Sequence, residues 1–424
     1  MKKNDIIFIV CPPFWEKLPP LGIAYLKEYL NRNGYESKFC DLNMLIFHLC
    51  DENMHLDWTI NTEYTTKDFF NYCHRKFPHV FNNLIEWIKK TGSKFIGFSI
   101  CKSNREFSLQ TAGLIKKIFP DINIVFGGPE VFTMEQKGFE DVKGADYYVV
   151  GEGEKAVCKI LQGRSRKNIY RYLQLNDINF YPSFRGIDLN SYIRNNGLPV
   201  LFSRGCVKNC SFCSESKLFK GYRVKDPDVM TDEFKFHIKE NNIKWFTFYD
   251  SILNGDLNKL ESLLDLIIKS GIKISWDAQM AIRQEMDLEI MRKMKKAGCV
   301  NLFIGLESGS DKILESMNKK YSSKDAGLFL SKLNNANLNY EVSLIVNFPG
   351  ETEIDFKKTI NFIKENKNNI KKIAQINHYK HYPGTKIYKN NINKNKSNRK
   401  VDTILNLLDE EGIGYTSKFI QNLI

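Results

Sequence analysis

The feature that most limits what this chain can fold into is a rhythm. Short apolar runs rich in Ile, Val, Phe and Tyr recur along it, each followed by an amphipathic stretch of helical period, in two separate series. Such alternation requires parallel strands joined by helical crossovers, so the chain is α/β and its ligand edges lie at the carboxyl ends of its strands. In the first series "DIIFIVC" reads as a strand, "LGIAYLKEYLNRNG" as a helix ending at Gly34, and "ESKFCDL" as a second strand. "KFIGFSIC", a helix from about Glu106 to Phe119, "NIVFGG" and "DYYVVGEGE" complete a Rossmann-like parallel-sheet domain over residues 1–165. Residues 42–92, richer in aromatics and His, read as helices packed on the sheet edge.

Between 166 and 194 the period is lost, and "INFYPSF" and "SYIRNNGLP" read as a linker. The second series fills residues 195–390: "LPVLFSRGC", "IKWFTFYDS", "KISWDAQMA", "VNLFIGLES", "NYEVSLIVNFPGET" and "KIAQINHYKHYPGT". Six βα units of this size predict a partial (β/α)6 TIM-type barrel. Residues 391–424 carry "DTILNLLDEEG" and read as a short helical tail. A length of 424 residues suits two domains, each with its own core.

The 62 Lys+Arg against 49 Asp+Glu give a formal charge of +13. Lysine interleaves with Asn in "KENKNNIKKI" and "KNNINKNKSNRK", and no basic helix or aromatic-basic platform stands out, so nucleic acid is not the expected partner. Ten unevenly spaced cysteines do not form a disulfide framework and fit a reducing cytoplasm. "MKKNDIIFIVC" is too short in its apolar run for a leader, and no stretch approaches the roughly 18 apolar residues of a membrane span.

Three of the ten cysteines, Cys206, Cys210 and Cys213, fall within "GCVKNCSFC", directly after the strand "LPVLFS" and an Arg204-Gly205 turn. Structural zinc normally takes four protein ligands, so a zinc site here needs a distant His. A cubane [4Fe–4S] cluster on three cysteines instead leaves one iron open to a substrate or cofactor. Cys299, alone after the triplet, reads as a packed residue.

Cys-x3-Cys-x2-Cys with an aromatic before the last cysteine resembles the cluster motif of radical S-adenosylmethionine (SAM) enzymes. The resemblance implies that the open iron chelates the amino and carboxyl groups of SAM. Reduction by an external donor such as flavodoxin or ferredoxin then splits SAM to methionine and a 5′-deoxyadenosyl radical. "YDSILN" resembles the segment that meets the SAM amino group, which brings in Asp250 and Ser251. "IGLESGSDKILESMNK" resembles the fourth-strand segment, where Glu307 and Ser308 face the ribose and methionine parts. "NFPGET" and "YPGTKIY" resemble the fifth- and sixth-strand ends, and Arg283 in "AIRQEM" is a candidate for the SAM carboxylate. Trp245, Tyr249, Tyr379, His378 and His381 are candidates to line a substrate pocket, with core packing the alternative.

The front domain, through "CPPFWEKLPPLGIAYLKEYLNRNGY", "GFSICKSN", "IVFGGPE" and "VVGEGE", resembles the cobalamin-binding domain of one large radical SAM class. The resemblance implies that Gly127, Gly128, Gly151 and Gly153 let the backbone approach a bulky ligand. The chain departs from cobalamin-dependent mutases in having no Asp-x-His-x-x-Gly, so any cobalamin lacks that lower His ligand. The implied function is methylation of an unactivated carbon in a small-molecule or peptide substrate. The radical abstracts hydrogen, methylcobalamin gives methyl, and a second SAM restores the donor. Alternatives are a radical rearrangement, cyclisation or oxidation without net methyl transfer, a tRNA methylthiotransferase, and a non-catalytic metal-binding module.

Overall fold

The computed structural model describes residues 5–139, 144–163, 168–388 and 398–416. They divide into two compact units, one running to Asn195 and including Leu218–Lys220, the other holding the rest.

The first unit is built on six parallel strands: β1 (Ile6–Val10), β2 (Ser37–Asp41), β3 (Phe95–Ser99), β4 (Asn123–Gly127), β5 (Tyr147–Val150) and β6 (Ile169–Arg171). Their order is β2-β1-β3-β4-β5-β6. All five residues of β1 are buried, which is why that strand reads as an unbroken apolar run; β2, at the sheet edge, is only partly covered. The order reverses between β1 and β3, and at such a switch point open α/β sheets bind ligands beyond the strand ends. The stretch 42–92 is helical as expected, in Leu42–Phe47, Glu52–His55, Lys67–Lys76 and Pro78–Thr91.

The second unit has β7 (Gly197–Val200), a hairpin of β8 (Ser203–Arg204) and β9 (Arg223–Val224), then β10 (Trp245–Phe248), β11 (Ser275–Met280), β12 (Cys299–Glu307), β13 (Tyr340–Val346), β14 (Lys372–His378) and β15 (Gly414–Tyr415). Its main sheet runs β15-β14-β13-β12-β11-β10-β7, all parallel. Strands laid side by side in chain order with helical crossovers are singly wound, the topology of an opened barrel. All six expected strands of this series are present.

Two boundaries differ from the sequence reading. The expected linker at 166–194 contains β6, which pairs with β5, and the first unit extends to Asn195. The tail is no separate piece either: the helix Arg399–Glu411 leads into β15, which pairs with β14. Residues 389–397 and 417–424 lie outside the described residues. Among the described residues no helix is long and apolar enough to cross a membrane.

Candidate cofactor sites

The cysteine triplet sits in the loop between β8 and β9, whose antiparallel pairing closes the loop at its base. Gly205, at φ +84°, supplies the left-handed turn that starts it. Both ends are clamped by buried charge. At the entry, Asp250 accepts the backbone N–H groups of Phe202 and Ser203 and the Ser203 hydroxyl. At the exit, the buried Lys225 donates to the buried Glu233. The loop's middle is docked on the segment after the helix Asp311–Ser316: Ser211 N–H donates to Met317 O (3.0 Å), and Asn318 Nδ2 to Asn209 O (2.6 Å). Phe212, the aromatic of the motif, packs with Ile313, Met317, Phe348 and Tyr379, so its place in the motif is explained by anchoring.

The three thiols are near enough for charge on one to raise another. Burial raises the Cys206 thiol and pushes Cys213 up to about 12, so thiolates here require a compensating cation. Backbone N–H groups of Lys208 and Glu215 point at the sulfurs of Cys206 (3.4 Å) and Cys213 (3.5 Å). Sulfur ligands with amide donors aimed at them fit an iron–sulfur cluster, whose cysteine sulfurs carry negative charge. Among the described residues no three His, Cys, Asp or Glu side chains converge as ligands of a single ion; a cubane spreads its thiolates over three separate irons.

The other sequence candidates of this unit fall into two groups. Asp250, Ser308 and Arg283 are held by the protein itself. Ser308 Oγ contacts Thr359 Oγ1 (3.2 Å) and accepts from Ser310 N–H (3.1 Å), while Arg283 Nη1 donates to the carbonyls of Asn254 (2.9 Å) and Gly255 (2.7 Å). Ser251 and Glu307 lie toward the triplet. Ser251 hydrogen-bonds Glu215, a carboxyl raised by burial two residues after Cys213. Glu307 stands at a bulge in β12, where the register with β13 shifts and its φ is +66°. Its carboxylate pairs with Lys319 at 3.0 Å and accepts from Ser343 Oγ at 3.4 Å.

Lys319 was not singled out by the sequence. It is 9% exposed and sits over the Phe212 ring, 5.7 Å from its centroid. Burial keeps the Cys206 thiol raised, and the Lys319 field offsets a small part of that rise. Burial pulls its own ammonium down, but Glu307, Tyr321 and Cys210 outweigh that and hold it above the usual lysine range.

Of the substrate-pocket candidates, His378 is 5% exposed with both ring nitrogens engaged, by Asn347 (2.9 Å) and Asn398 (2.9 Å). It ties β14 to its neighbours. Tyr379 is buried, Trp245 donates to Asp277 at 2.6 Å, and Tyr249 is exposed.

In the first unit, Asn104 clamps the switch point. Its Oδ1 accepts from Cys101 N–H (2.8 Å), and its Nδ2 donates to the carbonyls of Cys11 and Ser99 (3.1 Å each). The four glycines expected to face a ligand differ in what requires them. A Cβ on Gly128 would lie 2.5 Å from Ile100 O, and one on Gly153 would lie 3.0 Å from Leu26 Cδ2. Gly151 is held at φ +92°. Gly127 alone among the four has an ordinary φ and no tight neighbour, a Cβ there meeting only Val149 Cβ at 3.9 Å, so no packing in this chain requires glycine at the end of β4.

Asp250 makes a pH prediction. Burial raises its carboxyl to about 6, above its ordinary value of 3.8, so its contribution to stability is full below the unfolded value and lost as pH rises through about 6. An Asn side chain has no such dependence. Denaturant unfolding of Asp250→Asn should therefore show a larger loss relative to wild type at about pH 4 than at about pH 7. An equal loss at both would contradict the buried, protonatable carboxyl.

Comparison with known proteins identifies two domains. The radical SAM superfamily model matches residues 200–363, and the B12 binding domain model matches residues 71–161. An uncharacterized methyltransferase of Pyrococcus horikoshii is 28% identical over 354 residues, 76% of each chain. The bacteriochlorophyllide d C-8(2)-methyltransferase of Chlorobaculum tepidum is 27% identical over 62% of this chain and 61% of its own. The fold is shared with the radical SAM methyltransferase TsrM from Kitasatospora setae, at TM-score 0.67 and 16% identity, covering 91% of this chain and 75% of that one. Against several relatives the chain spans only part of their length, as with the 55% covered of an anaerobic magnesium-protoporphyrin IX monomethyl ester cyclase from Cereibacter sphaeroides. With both domain models matched in one chain and the cysteine loop at the strand ends, the chain carries a radical SAM domain behind an amino-terminal B12-binding domain.

Proposed function

We propose that the enzyme methylates a carbon atom of a small-molecule substrate, using a [4Fe–4S] cluster, SAM and cobalamin. The observation that carries this reading is the B12 binding domain match over 71–161 ahead of the radical SAM match over 200–363. The methylthiotransferase alternative calls for a second cluster in that front position. Methyltransferases among the relatives and the fold neighbours support the same choice.

Bound together, these groups supply a carbon radical and a methyl donor, and the protein supplies orientation and exclusion of water. Cys206, Cys210 and Cys213 hold the cluster. Lys319 and Glu307 present an ammonium and a carboxylate side by side, a charge pair of the right chemistry to meet the carboxylate and ammonium of the SAM methionine moiety. Ser251 and Glu215 offer further polar atoms close to Cys213. Asp250, Arg283 and Ser308 act as positioning residues, because their polar atoms hold the protein's own backbone and side chains.

The reading is tested by anaerobic reconstitution of the full chain with iron, sulfide and hydroxocobalamin, followed by SAM and reductant. Expected are bound cobalamin, its SAM-dependent conversion to methylcobalamin, and release of 5′-deoxyadenosine. Deoxyadenosine release without cobalamin binding would overturn the methyl-transfer reading and leave radical chemistry without methyl transfer.

The glycines allow a finer test. Gly127→Ala should weaken cobalamin binding while leaving the unfolding midpoint unchanged, because its Cβ meets only Val149 Cβ, at an ordinary contact distance of 3.9 Å. Gly128→Ala should lower stability by about 1–3 kcal/mol, because its Cβ meets the Ile100 backbone. Equal cobalamin affinity in Gly127→Ala and wild type would remove that edge from the site.

A further inference from the structure

The ladder of β12 breaks just before Glu307. Gly305 pairs with Ser343 of β13 and Glu307 with Leu344, so Leu306 between them has no partner in β13. On the other side, the pairing with β11 ends at Met280 and Ile304. The backbone carbonyls at this break need donors from outside the sheet. Tyr321 supplies one. Its hydroxyl donates to Gly305 O at 3.0 Å and to Leu306 O at 2.9 Å, and Ser308 N–H adds a bond to Leu306 O at 2.9 Å.

An unusual run of backbone brings Tyr321 to this place. Asn318 and Lys320 have left-handed φ of +59° and +60°, a conformation uncommon for residues other than glycine. Lys319 and Tyr321 are both buried, while Lys320 between them is exposed. The Lys319 ammonium stands over the Tyr321 ring, 5.9 Å from its centroid. Gly305 contributes by having no side chain. A Cβ there would lie 2.5 Å from Glu307 Oε1 and 3.5 Å from Lys319 Nζ, so the ion pair fills the space a side chain would need.

The geometry points to Tyr321 and Gly305 as positioning residues that fix where the Glu307 carboxylate meets SAM. This rests on the Lys319–Glu307 pair being the place where the methionine moiety is read. Glu307 itself has a φ of +66°, a conformation that persists only where the surroundings over-determine it. Tyr321 holds the backbone of the bulge through two carbonyls, and Gly305 leaves room for the carboxylate that the bulge presents. Each acts through Glu307, one on its backbone and the other on the end of its side chain, so the two can be broken separately.

The test measures SAM affinity by equilibrium dialysis on anaerobically reconstituted full-length protein. Wild type is compared with Tyr321→Phe, Gly305→Ala, Glu307→Gln and the double variant Tyr321→Phe/Glu307→Gln. Iron should stay at about four per chain in all of them, because none of these side chains holds the cluster. Tyr321→Phe and Gly305→Ala should each weaken SAM binding about 10-fold, the equivalent of one hydrogen bond. In the Glu307→Gln background, Tyr321→Phe should weaken binding by less than about twofold further, because the carboxylate it positions is gone. A general loss of stability would act alike in both backgrounds. Additive losses therefore overturn the proposal, and so does wild-type affinity in both single variants. If Tyr321→Phe fails to fold, Gly305→Ala decides alone, since the atoms nearest its Cβ are the ends of the Glu307 and Lys319 side chains. Wild-type protein that holds its cluster but binds no SAM would overturn the SAM reading of the Lys319–Glu307 pair, and the positioning roles with it.

Discussion

Replacing Cys206, Cys210 and Cys213 together by alanine is expected to take the iron content from about four per chain to background and to abolish SAM cleavage, while both sheets stay folded. The separation of effects follows from where the loop gets its order. Its ends are fixed by Asp250 and by Lys225–Glu233, its middle by Ser211, Asn318 and Phe212, and none of these bonds uses a cysteine sulfur. The thiols themselves are partly buried at an energetic cost, as the upward shift of Cys213 to about 12 indicates. Alanine removes groups whose charged form the site disfavours until a cation arrives. Circular dichroism and the denaturation midpoint of the iron-free protein should therefore change by no more than about 0.5 kcal/mol. Metal analysis and 5′-deoxyadenosine release decide the rest: a triple variant that retains four irons per chain would falsify the assignment of the cluster to this loop.

The parts of this architecture that were legible in the sequence are those where one residue type answers to one physical demand. β1 and β3 are covered on both faces and so are written as apolar runs; the cysteine triplet stands out because clustered thiols have few other uses. What was missed is short or relational. β6, β8, β9 and β15 have two or three residues each, below the length at which a period can be seen. Asp250 and Ser308 were found as strand-end residues, but their partners, Ser203 and Thr359, lie 47 and 51 residues away, and only the folded chain shows that they serve the protein's own frame. The glycine turns were found for the same reason, yet Gly128 answers to Ile100, a backbone in a neighbouring strand end. Lys319 was hidden by composition: in a chain with 62 basic residues, a lysine beside Lys320 carries no signal until its burial is known.

Lys319→Met is expected to be the most damaging single substitution at the SAM end of the site, and its pairing with Glu307→Gln separates structure from binding. Removing the ammonium alone leaves the Glu307 carboxylate buried with only Ser343 as a named donor, in side chains that are each 11% exposed as a pair. An uncompensated buried charge of this kind costs about 3–5 kcal/mol. The double variant Lys319→Met/Glu307→Gln removes both charges and should regain most of that stability, since a buried ion pair and a neutral replacement of similar volume differ little. SAM affinity should not return with it. A charge-assisted hydrogen bond to the SAM carboxylate contributes about 1.5–3 kcal/mol, so equilibrium dialysis should show binding weakened about 10- to 100-fold in single and double variants alike. Recovery of stability without recovery of binding assigns the pair to SAM. Recovery of both would reduce it to a structural ion pair behind the cysteine loop and move recognition of the methionine moiety to Ser251 and Glu215.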